Sequence, residues 1–553
     1  MKRPPLDTDG HRRPSANELA LARQIVRRSG VVEALRPYVD SDTGRRRRLP
    51  LEALLVALQA NALQRHHQAH LVDAARLLNA LSDKERTQLE ISEWKPDEAY
   101  SRVVWLFSKL CRVLGDGIEG IDEQWFANQL ARASVPDKYL TSHSIAVDGT
   151  DVETWGAFQG STTSIELDGE AVETQLVDEA PPTARKVKRA KVLAIGPDGR
   201  KQYTPDPDAR AGHRSANGQH NAGPYLGYEL HLAVQTRDVR WTNYVDRTTL
   251  GPEVPNVITA LALAPAGTHR AKSIVGPVLA RKKDGHDVRD VVWDPGYSLC
   301  SPDTTSYPLA QCGIEQTFQP VTNQRGIRPF SEEAIVMDGQ LFSAALPDEL
   351  RDLRMPHFLA KGGHRLAYEE PFNRRARWRM VRHAGPDGNG VTRWRCPFCA
   401  GLLRSRNFPT TMRRSARAPL VVLPSTAKSC CQGTVSAPPA DLPLTQRIPF
   451  GTTAWRISMN RRMAVESVNA SLKGGFVDTA RGFFRVFGVI KMTALLGFTI
   501  AAVNLDRIRS HRAKLAETQE QPRRRAKIRR GTWQELIGEL SMSVLPRATG
   551  PPG

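Results

Sequence analysis

Apolar positions in residues 1–140 recur at helical spacing. The segment Leu51-Glu-Ala-Leu-Leu-Val-Ala-Leu-Gln-Ala-Asn-Ala-Leu63 is entered through Pro50 and is built of strong helix formers. Further helices are expected from about His70 through Leu81 and from about Asp97 to Leu114. Four arginines, Arg45, Arg46, Arg47 and Arg48, stand just ahead of the first of these. They read either as a solvated loop or as a row of phosphate contacts. Beside a helical module in a basic chain the second reading is preferred.

From Ser144 the apolar runs shorten and strands are expected. Ile145-Ala146-Val147 ends in Asp148-Gly149-Thr150, a strand feeding a turn. Val192–Ile195 and Lys201–Tyr203 flank Gly196-Pro-Asp-Gly199 as strand, turn, strand, and Tyr225–Val234 is another strand. Val291-Val292-Trp293 is a buried-type strand running into Asp294-Pro295-Gly296-Tyr297, whereas Pro252 to Ala264 is expected as a helix opened by its proline. Two hairpins follow, one turning at Asp338-Gly339 and one at Gly385–Gly390. Helix returns at about Thr453 and stops at Gly474-Gly475, and a second, apolar helix spans about Phe484 to Leu505. A basic flexible tail is expected from Ser510 on.

The pattern gives an α+β multidomain chain. Its units are a helical region (1–140), a mixed α/β unit (141–324), a β-rich insertion (325–450), the return of that unit (451–509) and the tail (510–553). Composition sharpens the picture. Against 58 acidic residues stand 78 lysines and arginines, a formal charge of +20, which points to a polyanionic partner such as nucleic acid. The apolar run Met492–Val503 falls short of the roughly 20 residues of a membrane span, and the N-terminal MKRPPLDTDGHRRPS lacks a secretory apolar stretch. With seven cysteines, sparse and odd in number, the chain is expected in a reducing, cytoplasmic compartment and not in a membrane. Neither a phosphate-binding P-loop nor a nucleophile-elbow serine occurs.

Three acidic residues carry the candidate chemistry. Asp148 and Asp294 each close an apolar strand, and Glu466 lies in a helix. Carboxylates converging from a sheet and a packed helix can hold two Mg²⁺ ions roughly 3.5–4 Å apart for phosphodiester chemistry. Taken singly, Asp-Gly-Thr and Asp-Pro-Gly are also ordinary turn sequences. On the Glu466 helix, Arg462, Glu466, Asn469 and Lys473 share one stripe beside an apolar face of Ile457, Val465, Val468 and Leu472. The stripe suits a surface ion-pair ladder, and equally a carboxylate on metal with Arg462, Asn469 and Lys473 on DNA phosphates.

Asp148-Gly-Thr, Asp294-Pro-Gly-Tyr and Arg462-x3-Glu466-x6-Lys473, in that order, resemble the three motif regions of the DDE transposases of bacterial insertion sequences. The narrower resemblance is to the cut-and-paste group with a β-rich insertion ahead of the final Glu. That group carries a tyrosine three residues before the arginine, where this chain has Met459. Asp206-Pro-Asp-Ala-Arg210 and Tyr225-Leu-Gly-Tyr-Glu-Leu-His231 are also family-like, so the resemblance covers roughly 140–505. It implies an RNase H-like core split by the insertion, with Asp148, Asp294 and Glu466 binding two Mg²⁺ (Mn²⁺ as substitute). It implies cleavage of double-stranded DNA at transposon ends, strand transfer into target DNA, and a homodimer in the active complex. Asp151 is a second candidate for the first acid. The alternative is a catalytically inactive, transposase-derived DNA-binding protein.

Two features stand apart. Cys396-Pro-Phe-Cys399 has zinc-knuckle spacing that Cys430 and Cys431 could complete, although adjacent cysteines suit one tetrahedral ion poorly; a structural Zn²⁺ and buried or free thiols both remain open. His231, on its strand, is expected to be a packed core histidine.

Overall fold

The computed structural model describes residues 13–40, 48–158, 165–167, 170–172, 195–196, 198–214, 222–240, 248–267, 270–321, 324–354, 362–406, 418–423, 434–441, 446–519 and 533–542. Among the described residues seven α-helices come first: α1 (Ala16–Arg28), α2 (Val31–Val39), α3 (Leu51–Ala62), α4 (Leu71–Ala80), α5 (Asp83–Gln88), α6 (Ala99–Asp116) and α7 (Glu123–Ala133). α1 and α5 start from capping boxes, Ser15 with Glu18 and Ser82 with Glu85. Arg45, Arg46 and Arg47 lie outside the described residues, as do Cys430, Cys431 and residues 520–532.

A mixed sheet follows. Its strands are β1 (Ser144–Glu153), β2 (Arg210–Arg214), β3 (Gly223–Thr236), β4 (Ile258–Pro265), β5 (Asp290–Trp293) and β6 (Glu315–Thr317). β3 runs antiparallel to β1, and β4 and β2 pair antiparallel with successive parts of β3. On the other side of β1, β5 and then β6 run parallel to it. The spatial order is therefore β6-β5-β1-β3-β4, with β2 sharing the far edge.

Both faces of this sheet are buried. Ala146, Val152, Leu230, Leu232, Leu261 and Leu263 form one core with the N-terminal helices and with α12 (Met463–Leu472) and α13 (Val489–Gln519), which follow α8 (Arg270–Lys283), α9 (Ser306–Gln311), α10 (Gly362–Ala376) and α11 (Thr453–Met459) in the chain. Ile145, Val147, Ala233, Ala260, Ala262, Val291 and Trp293 pack on the opposite face against Ile274, Val275 and Val278 of α8. This explains a misreading. Of the segment expected as a helix, Pro252–Ala264, residues 252–257 are irregular and the rest lies in strand β4, with leucines turned to one face and alanines to the other. A strand buried on both sides shows no polar alternation, so its apolar run mimics a helix.

The helical region is likewise continuous with the sheet, its core running on through α7 and α13 without a break. α13 is 31 residues long, well beyond the expected Phe484–Leu505. It is long and apolar enough to cross a membrane, contrary to the run-length argument, yet 83% of its most apolar window is buried inside the protein. A membrane-length helix is here a core helix, and Asn504 shows why it stays there. This wholly buried side chain accepts from Ile258 N (2.7 Å) and donates to Ile258 O (3.0 Å), Ala131 O (3.3 Å) and Ser134 Oγ (3.2 Å). It joins α13 to the β3–β4 bulge and to the end of α7. Asn504→Leu should lower unfolding free energy by about 2–4 kcal/mol in urea titrations, because the buried peptide groups it serves are left unpaired.

Between β6 and α12 lies a unit with its own core, in which Ile335, Phe342, Trp378, Met380 and Phe398 meet. It holds two three-stranded antiparallel sheets, and both expected hairpins are present. Asp338 and Gly339 take positive φ (49° and 75°) at the first turn, as a two-residue hairpin turn requires. The unit also contains a 15-residue helix, Gly362–Ala376, so it is not purely β. The expected helix over Thr453–Lys473 is in fact two, Thr453–Met459 and α12, joined by a 3₁₀ turn at Asn460–Arg462. The tail differs as well. α13 carries it to Gln519, and Trp533–Met542 is a helix docked on α1, with Gln24 donating to Ile537 O and Arg28 to Leu540 O.

Candidate active site

β1 does not end at Asp148 as expected. It continues to Glu153 against β3, while its parallel pairing with β5 stops at Val147–Trp293. Asp148 therefore sits where β1 loses a neighbour, and Asp294 follows immediately on the departing strand, its N–H donating to Val147 O (3.2 Å). The two carboxylates are thus set side by side at one rim of the sheet. Asp148 Oδ1 accepts from Gly149 N (2.8 Å), and Asp294 Oδ2 accepts from Gly296 N (3.1 Å) in a turn that fixes its side chain.

α12 lies across the same face, held there by Val465, Val468 and Leu472. The 3₁₀ turn ahead of it is anchored by buried Arg461, which pairs with Asp290 (2.5 Å) and donates to Arg237 O (3.2 Å). That anchorage presents Arg462 and, one turn on, Glu466. The Arg462 guanidinium joins all three acids: 2.6 Å to Asp294 Oδ1, 2.7 Å to Glu466 Oε1 and 3.6 Å to Asp148 Oδ2. Three residues far apart in sequence are so brought around one cation.

The electrostatics follow from this packing. Burial, then the neighbouring Asp294 charge, push Asp148 up to about 7, and Arg462 offsets only part of the shift. The folded chain thus holds a proton that the unfolded chain releases near pH 4. In metal-free protein this group's stabilising contribution is complete below about pH 4 and is lost as pH rises to about 7, a change of roughly 4 kcal/mol. Asp148→Asn should flatten that slope in urea titrations from pH 4 to 8, leaving the variant more stable than wild type at pH 8.

Other expected residues are placed differently. Asp151 contacts Lys473 Nζ and lies 3.5 Å from Arg214 Nη1, so it belongs to a separate ion-pair group and not to the three acids. Lys473 is correspondingly engaged with a carboxylate. Asn469 Oδ1 is buried with no hydrogen-bond partner among the described residues, one turn from Glu466. Arg48 pairs with Glu93 (2.7 Å) and Glu98 (3.7 Å). Cys399 N donates to Cys396 Sγ (3.3 Å) in a knuckle turn. His231 is fully buried, its Nδ1 2.8 Å from the Tyr297 hydroxyl, a core histidine as expected.

A second polar node lies further along β1, in the Asp206–Arg210 stretch that the sequence marked without giving it a role. Asp206, fully buried, accepts from Thr154 Oγ1 (2.7 Å), the Tyr228 hydroxyl (2.7 Å) and Gly488 N (3.0 Å), while Asp208 accepts from Val489 N (2.8 Å). The pair caps the N-terminus of α13 and ties it to the ends of β1 and β3. The Asp-Pro-Asp spacing was the available signal.

Asp148, Asp294 and Glu466 offer hard oxygen donors, the type Mg²⁺ prefers, at a place where the carboxylates already need a cation. Among the described residues no three acidic, histidine or cysteine side chains stand close enough to hold an ion unaided, and Arg462 occupies the space between these three. No family model, curated protein or solved structure matches the chain.

Proposed function

We propose that the chain is a DDE-type transposase that cuts DNA at the ends of an insertion sequence and joins the freed strands to target DNA. The observation carrying this reading is the convergence of Asp148, Asp294 and Glu466 on Arg462 from two adjacent parallel strands and a helix packed on the same face. A central strand with an antiparallel meander on one side and parallel strands on the other supports reading the core as RNase H-like. A unit with its own core between β6 and α12 supports reading that core as split.

In this reading Asp148, Asp294 and Glu466 would hold two divalent ions, whose chemistry would be activation of an attacking oxygen and stabilisation of a leaving one. The protein's own contribution is placement. The sheet rim fixes two carboxylates, the Gly296 turn orients one of them, and α12 delivers the third. Arg462, which balances the acids' charge from the space between them, would yield that space to the ions and be left beside the acids to meet a phosphate. The +20 net charge supplies long-range attraction for DNA. Two transposon ends call for two copies of the chain in the active complex.

The test is incubation of the full chain with DNA carrying the ends of its parent element in Mg²⁺, then in Mn²⁺. Nicks at the element boundary with free 3′-hydroxyls are expected. Salt-sensitive binding without cleavage in either metal would replace this reading with that of a transposase-derived binding protein.

A further inference from the structure

Beyond the three acids, β1 leads to a group of side chains that the cleavage chemistry does not use. Past Glu153 the chain stays extended, with Thr154 N donating to Leu226 O (3.0 Å), and then turns outward at Trp155. Trp155 is 43% exposed and Phe158, three residues on, 66%. The Arg485 guanidinium lies over the Trp155 ring at 4.8 Å, and Phe158 and Tyr203 are nearly parallel, 10° apart with centroids at 6.1 Å.

The patch is built, not loose. Thr154 Oγ1 is held by Asp206 and accepts from Gly156 N (3.2 Å), and Arg481 donates to Gly156 O (3.3 Å). Gly156 is pressed against Thr204, where a Cβ would come within 1.9 Å of Oγ1. Gly482, at φ 97°, lets the chain pass beneath the indole: a Cβ there would lie 3.2 Å from Trp155 Cζ3. Rigid backbone thus fixes these part-exposed rings, Trp155 between Arg485 and the Gly482 turn, and Phe158 with the more open surface.

Exposed Arg481 and Arg485 border the rings, whereas Arg214 and Lys473, nearer the acids along β1, are paired with Asp151 and Glu153. Flat apolar faces interleaved with guanidinium groups match one ligand chemistry, bases with a phosphate backbone. An intact duplex keeps its base faces stacked inward, so only unpaired nucleotides can use exposed rings. Trp155 lies seven positions beyond Asp148, at most about 23 Å of extended chain, within reach of a few nucleotides.

Resting on the transposase reading, we propose that Trp155, Phe158 and Tyr203, with Arg481 and Arg485, form a stacking platform for unpaired nucleotides of the DNA engaged at the acids. The measurement is fluorescence anisotropy of a labelled twelve-nucleotide oligo-dT and of a blunt duplex of equal length, at fixed salt in EDTA so that no cleavage intervenes. The double variant Trp155→Ala/Phe158→Ala should weaken oligo-dT binding about tenfold or more and change duplex binding less than about twofold. Trp155→Phe, which keeps a ring, should retain most of the affinity and confirm that loss of folding is not responsible.

Equal losses for both DNAs, or none for oligo-dT, would overturn the platform. So would a change in sedimentation state with unaltered oligo-dT binding, which would assign the rings to a contact between copies. Because the binding is read in EDTA, where no cleavage occurs, the platform stands or falls separately from catalysis. Absence of binding to either DNA would remove the transposase reading as well.

Discussion

Glu466→Gln is expected to lower Mg²⁺-dependent cleavage of element-end DNA by at least about 10³-fold while leaving folding and DNA affinity near wild type. The substitution keeps size and removes one charge. A carboxylate that helps hold catalytic ions governs several kcal/mol of transition-state stabilisation, and each 1.36 kcal/mol is a factor of ten in rate. Stability should scarcely respond. The Glu466 side chain is 48% exposed and its pairing with Arg462 is a partly solvated i,i+4 contact, of a kind worth roughly 0–1 kcal/mol. Large loss of rate with small loss of stability is the signature of a residue kept for chemistry. Asp148→Asn and Asp294→Asn should match the loss of rate, whereas Asp151→Asn, in its separate group with Lys473 and Arg214, should not. Cleavage surviving in Glu466→Gln would sink the carboxylate mechanism. Equal effects of Asp148→Asn and Asp151→Asn would sink the assignment of the first acid.

The three acids were legible because each stood beside a local signal: an apolar run before Asp148 and before Asp294, and a helical stripe around Glu466. Their mutual approach was not, because it depends on parallel pairing of β1 with β5, and register between distant strands leaves no local trace. Arg462 was readable as a neighbour of Glu466 but not as the cation shared with Asp148 and Asp294. β4 failed for a different reason. Burial on both faces erased the alternation that distinguishes strand from helix, and alanine and leucine then favoured helix on propensity. The helix at Trp533–Met542 was obscured by the arginines ahead of it, which weighted the whole segment toward a solvated tail. Yet Leu536 and Leu540, four residues apart and fully buried, give it the apolar stripe that docks it on α1.

Asp206→Ala should cost about 3–5 kcal/mol of unfolding free energy, a large fraction of the roughly 5–15 kcal/mol that holds a typical domain together. The carboxylate is fully buried and is shared by Thr154, Tyr228 and Gly488, donors on three segments distant in sequence. Burial, reinforced by the adjacent Asp206 charge, pushes the Tyr228 hydroxyl far above its ordinary value, so it stays protonated as a donor. Alanine would strand two buried donors, Thr154 and Tyr228, and the half-buried Gly488 N–H, and would uncap the helix that runs through the centre of the main core. Asp206→Asn keeps an acceptor for Tyr228 and Gly488, and the Thr154 hydroxyl can turn to accept from the new amide. Its cost should be nearer about 1 kcal/mol. Urea titration gives the totals, and amide exchange at the first turn of α13 should accelerate selectively in the alanine variant. Similar small losses in both variants would show that α13 is held by its apolar contacts alone. A large loss for alanine and a small one for asparagine would identify Asp206 as the polar joint between the central helix and the strand that carries Asp148.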